Sequence, residues 1–453
     1  MPVTSMETLA DEFSSGAMQL ESGPGALRRL PDLLDTLAPT GELVLLADAT
    51  QKFVGAENLA DLIADLVGDR TLRAVVAAEG PHGVTLDEPT VSAATAGTHG
   101  AAALIAVGSG TISDLGKVVG RELDIPVISV QTAASVNGYS DPLSVLVISG
   151  AKRTQPSAWP AALVIDHDVL AAAPQRLSCA GVGDAVAIWC APADWYLSCA
   201  IGMDSGGYDS RYVDPVRTAA LRIADHTLSA GGRLDALNET LTIGGLVIGG
   251  AGSTAPLSGA EHLISHVLDM AAMAEGAAHD LHGAQVGVAS IVASALWDIA
   301  LNEIGILELD PADLTVPTDL EQQVRHTWQP LDPSGTLGDE CWRAVQAKAT
   351  RWNGAAQQVS AFYADRPGHR HALRALVGTP EQPAAALRHW GAPMRFAELA
   401  PRVTPERARW ALRALPFMRD RMTVTDLLMY AGHWNDDLFD RVLERSARAG
   451  GGL

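Results

Sequence analysis

The 453-residue chain reads as an α/β region followed by a predominantly helical one. Three observations predict this. Up to about residue 170, short apolar runs recur behind turn residues; helix-like stretches separate them; and from about residue 176 the runs give way to longer segments of helical period.

The runs, in order, are ELVLLAD (42–48), LRAVVAA (72–78), AALIAVG (102–108), PVISVQT (126–132), SVLVIS (144–149) and ALVID (162–166). Short continuous runs bounded by Gly, Pro, Asp or Ser are the pattern of parallel strands buried on both faces. ALRRLPDLLDTL (26–37) and ENLADLIADLV (57–67) supply crossover helices. Later come TAALRIADHTL (218–228), GAEHLISHVLDMAAMA (259–274), AQVGVASIVASALWDIAL (284–301) and a helical tail over 405–447. The stretch 308–339, rich in proline and acidic residues, reads as a loop-rich excursion. The domain boundary is expected at 175/176.

Composition narrows the function. Acidic residues outnumber basic ones 53 to 32, a formal net charge of −21, which repels phosphate backbones and anionic lipid. Nucleic acid is therefore not expected as a partner, and neither is membrane insertion, because no apolar run is read as a span and the N-terminus is acidic where a leader would be basic. Four cysteines, with no C-x-x-C pair, fit buried thiols in a reducing compartment, so a cytoplasmic protein is expected.

AALIAVGSGTISDLGKVVG places a strand, a Gly108-Ser109-Gly110-Thr111 turn and a helix in succession. Glycines there let backbone amides approach a pyrophosphate, and the helix terminus adds partial positive charge. The spacing is neither G-x-G-x-x-G nor a Walker loop, so a tight turn without a ligand is an equal alternative. Asp48, ending the first run, is placed to bond an adenosine ribose or to cap a turn.

His262, His266, His279 and His282 fall within 21 residues. His262 and His266 stand at i and i+4 and share a helix face. H-L-I-S-H lacks the glutamate of a zinc protease, which leaves metal binding or substrate contact for the pair. Asp184, beside a glycine at an apolar helix start, is the candidate third ligand: one carboxylate and two imidazoles suit a divalent transition metal with a position left open.

In order, AVGSGTISDLGKVVG, PVISVQTAASVNGYSD, SGAKRTQPSAWPAALVIDHDVLAAAP, CAGVGDAVAIWCAPADW, SGAEHLISH and LHGAQVG resemble the glycerol-1-phosphate dehydrogenase family, within the iron-containing alcohol dehydrogenase and dehydroquinate synthase-like superfamily. The tail MRDRMTVTDLLMYAG (418–432) resembles its bacterial members. The resemblance implies a Rossmann-like α/β domain (1–175) for NAD or NADP and an all-α domain (176–453) for metal and substrate. It implies one divalent metal, zinc first and nickel or iron as alternatives, held by Asp184, His262 and His282, with His279 a rival to His282. It places His266 at the substrate, Gly108, Ser109, Gly110, Thr111 and Ile112 at the pyrophosphate, and Thr132, Ser135 and Asp141 toward the cofactor.

Two departures stand out: Gln131 precedes the threonine, and Asn137 replaces a substrate-contacting aspartate, trading a charge for a donor. The implied reaction is reduction of dihydroxyacetone phosphate by NAD(P)H. Lys117, Lys152 and Arg153 are candidates for the phosphate, and a small phosphorylated ketone or polyol and a homo-oligomer are the implied partners. The alternatives are a related dehydrogenase for another polyol or sugar phosphate and a dehydroquinate synthase-like cyclase.

Overall fold

The computed structural model describes residues 5–453 and divides into two compact units. The first comprises the chain up to Ile148, Lys152–Gly181 and Thr218–Ser253; the second comprises Ser149–Ala151, Val182–Arg217 and Thr254–Leu453.

The first unit is built on β1 (Gln19–Gly23), α1 (Leu30–Leu37), β2 (Leu43–Ala47), α2 (Leu59–Val67), β3 (Leu72–Val76), α3 (Glu88–Thr98), β4 (Ala103–Gly108), α4 (Gly110–Leu123), β5 (Val127–Gln131), the hairpin β6 (Leu143–Ile148) and β7 (Ala151–Pro156), and β8 (Ala162–Asp166). Six strands form one all-parallel sheet in the order β1-β8-β5-β4-β2-β3. Side chains alternate between its faces, as a period of two requires. Leu43, Leu45, Ile105, Val107, Ile128 and Val164 pack one way, against Leu30, Leu34, Leu59 and Ile63 of α1 and α2. Val44, Leu46, Leu104, Ala106 and Val127 pack the other way, against Val91 of α3 and Ile112, Leu115 and Val119 of α4. Two buried faces explain why these strands read as unbroken apolar runs.

Five of the six predicted runs enter this sheet. The run at 144–149 instead pairs locally as the β6–β7 hairpin, apart from the sheet. β1, the polar QLESG, is a sheet edge, where one unpaired side tolerates an ordinary polar sequence.

Two long helices follow. α5 (Gln175–Ala185) leads toward the helical half, and α6 (Ala230–Ala251) belongs to the first unit although the sequence rhythm groups it with the second. Glycines on α6 explain its seat: a Cβ on Gly245 would lie 2.2 Å from Ser140 Oγ, and one on Gly249 2.1 Å from the Trp159 ring.

The second unit is helical, with α7 (Ala260–Ala274), α8 (His282–Ile299), α9 (Leu320–Trp328), α10 (Thr336–Gly354) and α11 (Val424–Tyr430) among its helices. Within the 308–339 excursion α9 is a true helix: Leu320, Val324 and Trp328, four apart, are buried, and Trp328 Nε1 donates to the Phe417 carbonyl at 2.8 Å. α8 continues through one π turn to Ile304, and this 23-residue stretch is long and apolar enough to cross a membrane, contrary to the reading of the runs. Most of its apolar length is buried inside the protein, which accounts for its composition as a core helix. Cys179, Cys190 and Cys341 are buried and Cys199 half-buried, all as free thiols.

Candidate active site

In the first unit the chain order creates a crevice. From β2 the chain crosses by α2 outward to β3, whereas from β4 it crosses by α4 the opposite way to β5. The β2/β4 boundary is thus a topological switch point, where open parallel sheets receive ligands beyond their strand ends. Registers of Ala47 with Val107 and of Ala47 with Val76 bring Asp48 and Gly108 side by side at that end. α4 opens there with no side-chain cap on Ser109 and no acidic residue in its first turn, so its leading amides and dipole are uncompensated.

The glycines themselves serve packing. A Cβ on Gly108 would meet Ile112 Cβ at 2.5 Å, one on Gly116 would meet Ala106 Cβ at 2.7 Å, and one on Gly120 Val127 Cγ2 at 2.2 Å. α4 therefore lies tight on β4 and β5, with Ile112 in the core and Thr111 exposed. Thr132 N–H donates to the Gly108 carbonyl at 3.2 Å, which fastens the second predicted segment to the loop. Ser135 Oγ and Tyr139 Oη lie 3.1 Å apart, and Tyr139 Oη donates to the Ala133 carbonyl, closing this segment on itself.

In the second unit Asp184, His262 and His282 converge, each offering one ligand atom within 4.8 Å of the others. Asp184 Oδ1 is 3.3 Å from His262 Nε2 and 3.9 Å from His282 Nε2. Donors at about 2.1 Å from a tetrahedral ion stand roughly 3.4 Å apart, so the set fits a divalent cation. Glycines bring the backbones together: a Cβ on Gly183 would lie 1.9 Å from the Gly283 carbonyl oxygen. The residues next to these two glycines are Asp184 and His282.

Both imidazoles are oriented from behind. His262 Nδ1–H donates to Glu261 Oε1 at 2.8 Å, and the same carboxylate accepts from the Gly259 amide and the Cys190 thiol. His282 Nδ1–H donates to Ser265 Oγ at 2.9 Å, and Ser265 donates in turn to Gln285 Oε1. Gln285 Nε2 passes the chain to Asp269, which also receives His279 Nδ1 at 3.1 Å. Acceptors on both Nδ1 atoms leave each Nε2 as the nitrogen turned toward Asp184, the one that would ligate a metal once its proton is displaced. Burial pushes the His262 imidazolium down, but Asp184 and Glu261 outweigh it and raise it to about 9, so the site attracts a cation. His279 is turned onto Asp269 and stands outside the three-ligand cluster. His266 is buried one turn along α7, its ring 5.4 Å from that of His282.

Two predicted positions are reassigned. Lys117 has no exposed surface; its ammonium donates to Asp114 at 3.0 Å, to Asp141 at 3.1 Å and to the Gly138 carbonyl at 2.7 Å. Asp141 in turn accepts the Leu143 amide at 2.8 Å. Lys117 and Asp141 are thus consumed in a knot that ties the 138–143 loop to α4, since ions this deeply buried must be paired. Burial pushes the Asp141 carboxyl up to about 6 against the opposing pull of Lys117. Asp48 pairs with Lys52 at 2.9 Å, and Asn137 lies half-buried on the loop packed against α6. Sequence reasoning missed Glu261, Ser265 and Gln285 behind the histidines and Lys52 beside Asp48. The Glu-His dipeptide at 261–262 is the one local signal for the first.

A profile of the iron-containing alcohol dehydrogenase family matches residues 21–174. The chain is 31% identical over 321 residues to glycerol-1-phosphate dehydrogenase [NAD(P)+] of Bacillus licheniformis, covering 70% of this chain and 77% of that one. It is 31% identical over 314 residues to the enzyme of that name from Methanocorpusculum labreanum, covering 66% and 82%. Against the one from Bacillus subtilis, at 33% identity, the match spans about half of the relative's length, 54%. Glycerol dehydrogenase from Schizosaccharomyces pombe superposes with a TM-score of 0.57 at 17% identity, over 95% of this chain and 90% of that one. A probable glycerol dehydrogenase from Sinorhizobium meliloti gives 0.55 at 15%, over 95% and 97%, a likeness of fold. Identity over three quarters or more of two relatives places the chain in the glycerol-1-phosphate dehydrogenase family of the iron-containing alcohol dehydrogenases.

Proposed function

We propose that the chain is a metal-dependent NAD(P)H oxidoreductase that reduces dihydroxyacetone phosphate to glycerol 1-phosphate. The observation that carries this reading is the convergence of Asp184, His262 and His282, with each histidine's Nδ1 engaged from behind and its Nε2 turned toward Asp184. The relatives' names supply the substrate.

A divalent metal held by these three residues would supply Lewis acidity toward the ketone oxygen, and zinc suits two imidazoles and a carboxylate. A reduced nicotinamide would supply the hydride, which no side chain can. The chain's own residues do the rest. Glu261 and Ser265 keep the ligating nitrogens aimed at Asp184. His266 would hold the proton that the substrate oxygen takes up, so that ketone, a hydride from the nicotinamide and this proton balance to the alcohol. The first-turn amides of α4 and the Gly108–Thr111 turn receive the pyrophosphate, with Thr132 fastened beside them. With Lys117 engaged, Lys152 and Arg153, both on β7, are the remaining phosphate candidates from the sequence. Asn137 in place of an aspartate favours a second reading, the same chemistry on another phosphorylated polyol or sugar.

Purified protein loaded with zinc, nickel or iron should oxidise NADH or NADPH, followed at 340 nm, when given dihydroxyacetone phosphate. Turnover with a different phosphorylated ketone and none with this one would reject the substrate in favour of the second reading. No turnover across a ketone panel would reject the reaction.

A further inference from the structure

The strand-end crevice carries a charge arrangement that bears on which dinucleotide it takes. With a pyrophosphate at the Gly108 turn, the adenosine ribose falls at the tip of the neighbouring strand, at Asp48. A lone carboxylate there accepts from a ribose 2′-hydroxyl and repels a 2′-phosphate. Here it is not alone. Lys52 returns from the turn after β2 with Nζ 2.9 Å from Asp48 Oδ1 and 3.0 Å from the Thr50 carbonyl. Oδ1 also accepts the Thr50 amide at 2.8 Å, so both hydrogen bonds to this carboxylate fall on one oxygen and Oδ2 accepts none from the described residues. Lys52 uses two N–H groups and keeps a third. Both side chains are largely enclosed, 19% and 17% exposed, which limits solvent screening of the pair. Glu79, accepting the Ala49 amide at 3.1 Å, adds a second negative charge at the same end.

We propose that Lys52 sets cofactor preference in this crevice. With NADH it stays on Asp48 Oδ1 while Oδ2 accepts from the ribose 2′-hydroxyl; with NADPH its ammonium turns from Asp48 to the 2′-phosphate. The inference rests on the dinucleotide reading above and adds a residue that decides between its two forms. A flexible four-carbon stem permits the exchange, and a rigid guanidinium permits it only in part.

The test is nicotinamide fluorescence titration of the full-length, metal-loaded protein with NADH and with NADPH, which needs no substrate and no turnover. Wild type should bind both. Lys52→Met should raise the ratio of the NADPH to the NADH dissociation constant about tenfold, the scale of one charge-assisted hydrogen bond. Lys52→Arg should recover part of that change, and Asp48→Asn should shift the ratio toward NADPH. An unchanged ratio in Lys52→Met, or equal shifts in Lys52→Met and Lys52→Arg, would overturn the proposal, because a structural role alone gives those patterns. Wild type that binds NADH and rejects NADPH would overturn it too. Binding of neither dinucleotide by wild type would instead overturn the reading on which it rests.

Discussion

At the scale of single residues, the candidate metal site is backed by side chains other than its three ligands. Glu261 is fully buried and spends one oxygen on His262 Nδ1 and the Gly259 amide, so replacing it with glutamine removes the anionic acceptor and leaves an amide of like size. Glu261→Gln should weaken zinc affinity about 10- to 100-fold, measured by competition with a chromophoric chelator, and Ser265→Ala should weaken it less. Unchanged affinity in both would mean that the three ligands hold the site without these acceptors behind them. Gly183→Ala tests the close crossing of α5 and α8: its Cβ would meet the Gly283 carbonyl oxygen at 1.9 Å, and backbone cannot give way cheaply. We expect a loss of about 1–3 kcal/mol in urea unfolding, accompanied by metal loss. Stability and metal content both at wild-type levels would show that the helices can separate without cost. That Asp184, His262 and His282 belong together was legible in the sequence through their segments. Glu261 was legible only as a neighbour of a histidine, because the direction of Nδ1 is set by helix geometry.

Among elements, those with a single rhythm could be read and those held by distant partners could not. The six-stranded sheet announced itself because burial on both faces forces unbroken apolar runs, whereas β1, at an edge, carried no such signal. α9 hid among prolines, although Leu320, Val324 and Trp328 mark a helical face. Lys117 reads in the sequence as a phosphate candidate; that Asp114 and Asp141 enclose it depends on how the 138–143 loop folds over α4. This knot has a pH signature. The Asp141 carboxyl sits at about 6, above its ordinary 3.8, so the folded state holds more protons than the unfolded state between these values. Stability therefore falls as pH rises through that window, and Asp141→Asn should flatten this part of the curve. A variant curve that parallels wild type would contradict the assignment. The second unit has its own buried pair, Lys348 Nζ with Asp426 Oδ1 at 2.6 Å. Lys348→Met leaves a buried carboxylate unpaired and should cost about 3–5 kcal/mol, whereas adding Asp426→Leu should cost less than the single change. Additive losses in chemical denaturation would show that the two do not act as a pair.

At the scale of the whole molecule, a net charge of −21 sets a background against which any phosphorylated ligand must be bound. The favoured reading therefore concentrates attraction locally: helix-terminal amides at the β2/β4 switch point, Lys52 beside Asp48, and a cation among Asp184, His262 and His282. The same excess charge should make the fold more stable at about 0.5 M salt than at low salt, because screening relieves repulsion among its carboxylates. A lower melting temperature in salt would contradict this. The division into α/β and helical parts was legible from rhythm alone. The return of Thr218–Ser253 to the first unit was not, because it is decided by glycines that face Ser140 and Trp159. The central claim, a metal held by Asp184, His262 and His282 for carbonyl reduction, is tested most directly by chelator treatment and metal restoration, with NAD(P)H oxidation by dihydroxyacetone phosphate as the readout. The account predicts that one equivalent of divalent metal restores activity to the chelated wild type and not to Asp184→Ala, although both still bind the dinucleotide. Full activity in the metal-free wild type, or restoration of Asp184→Ala to the same extent, would contradict it.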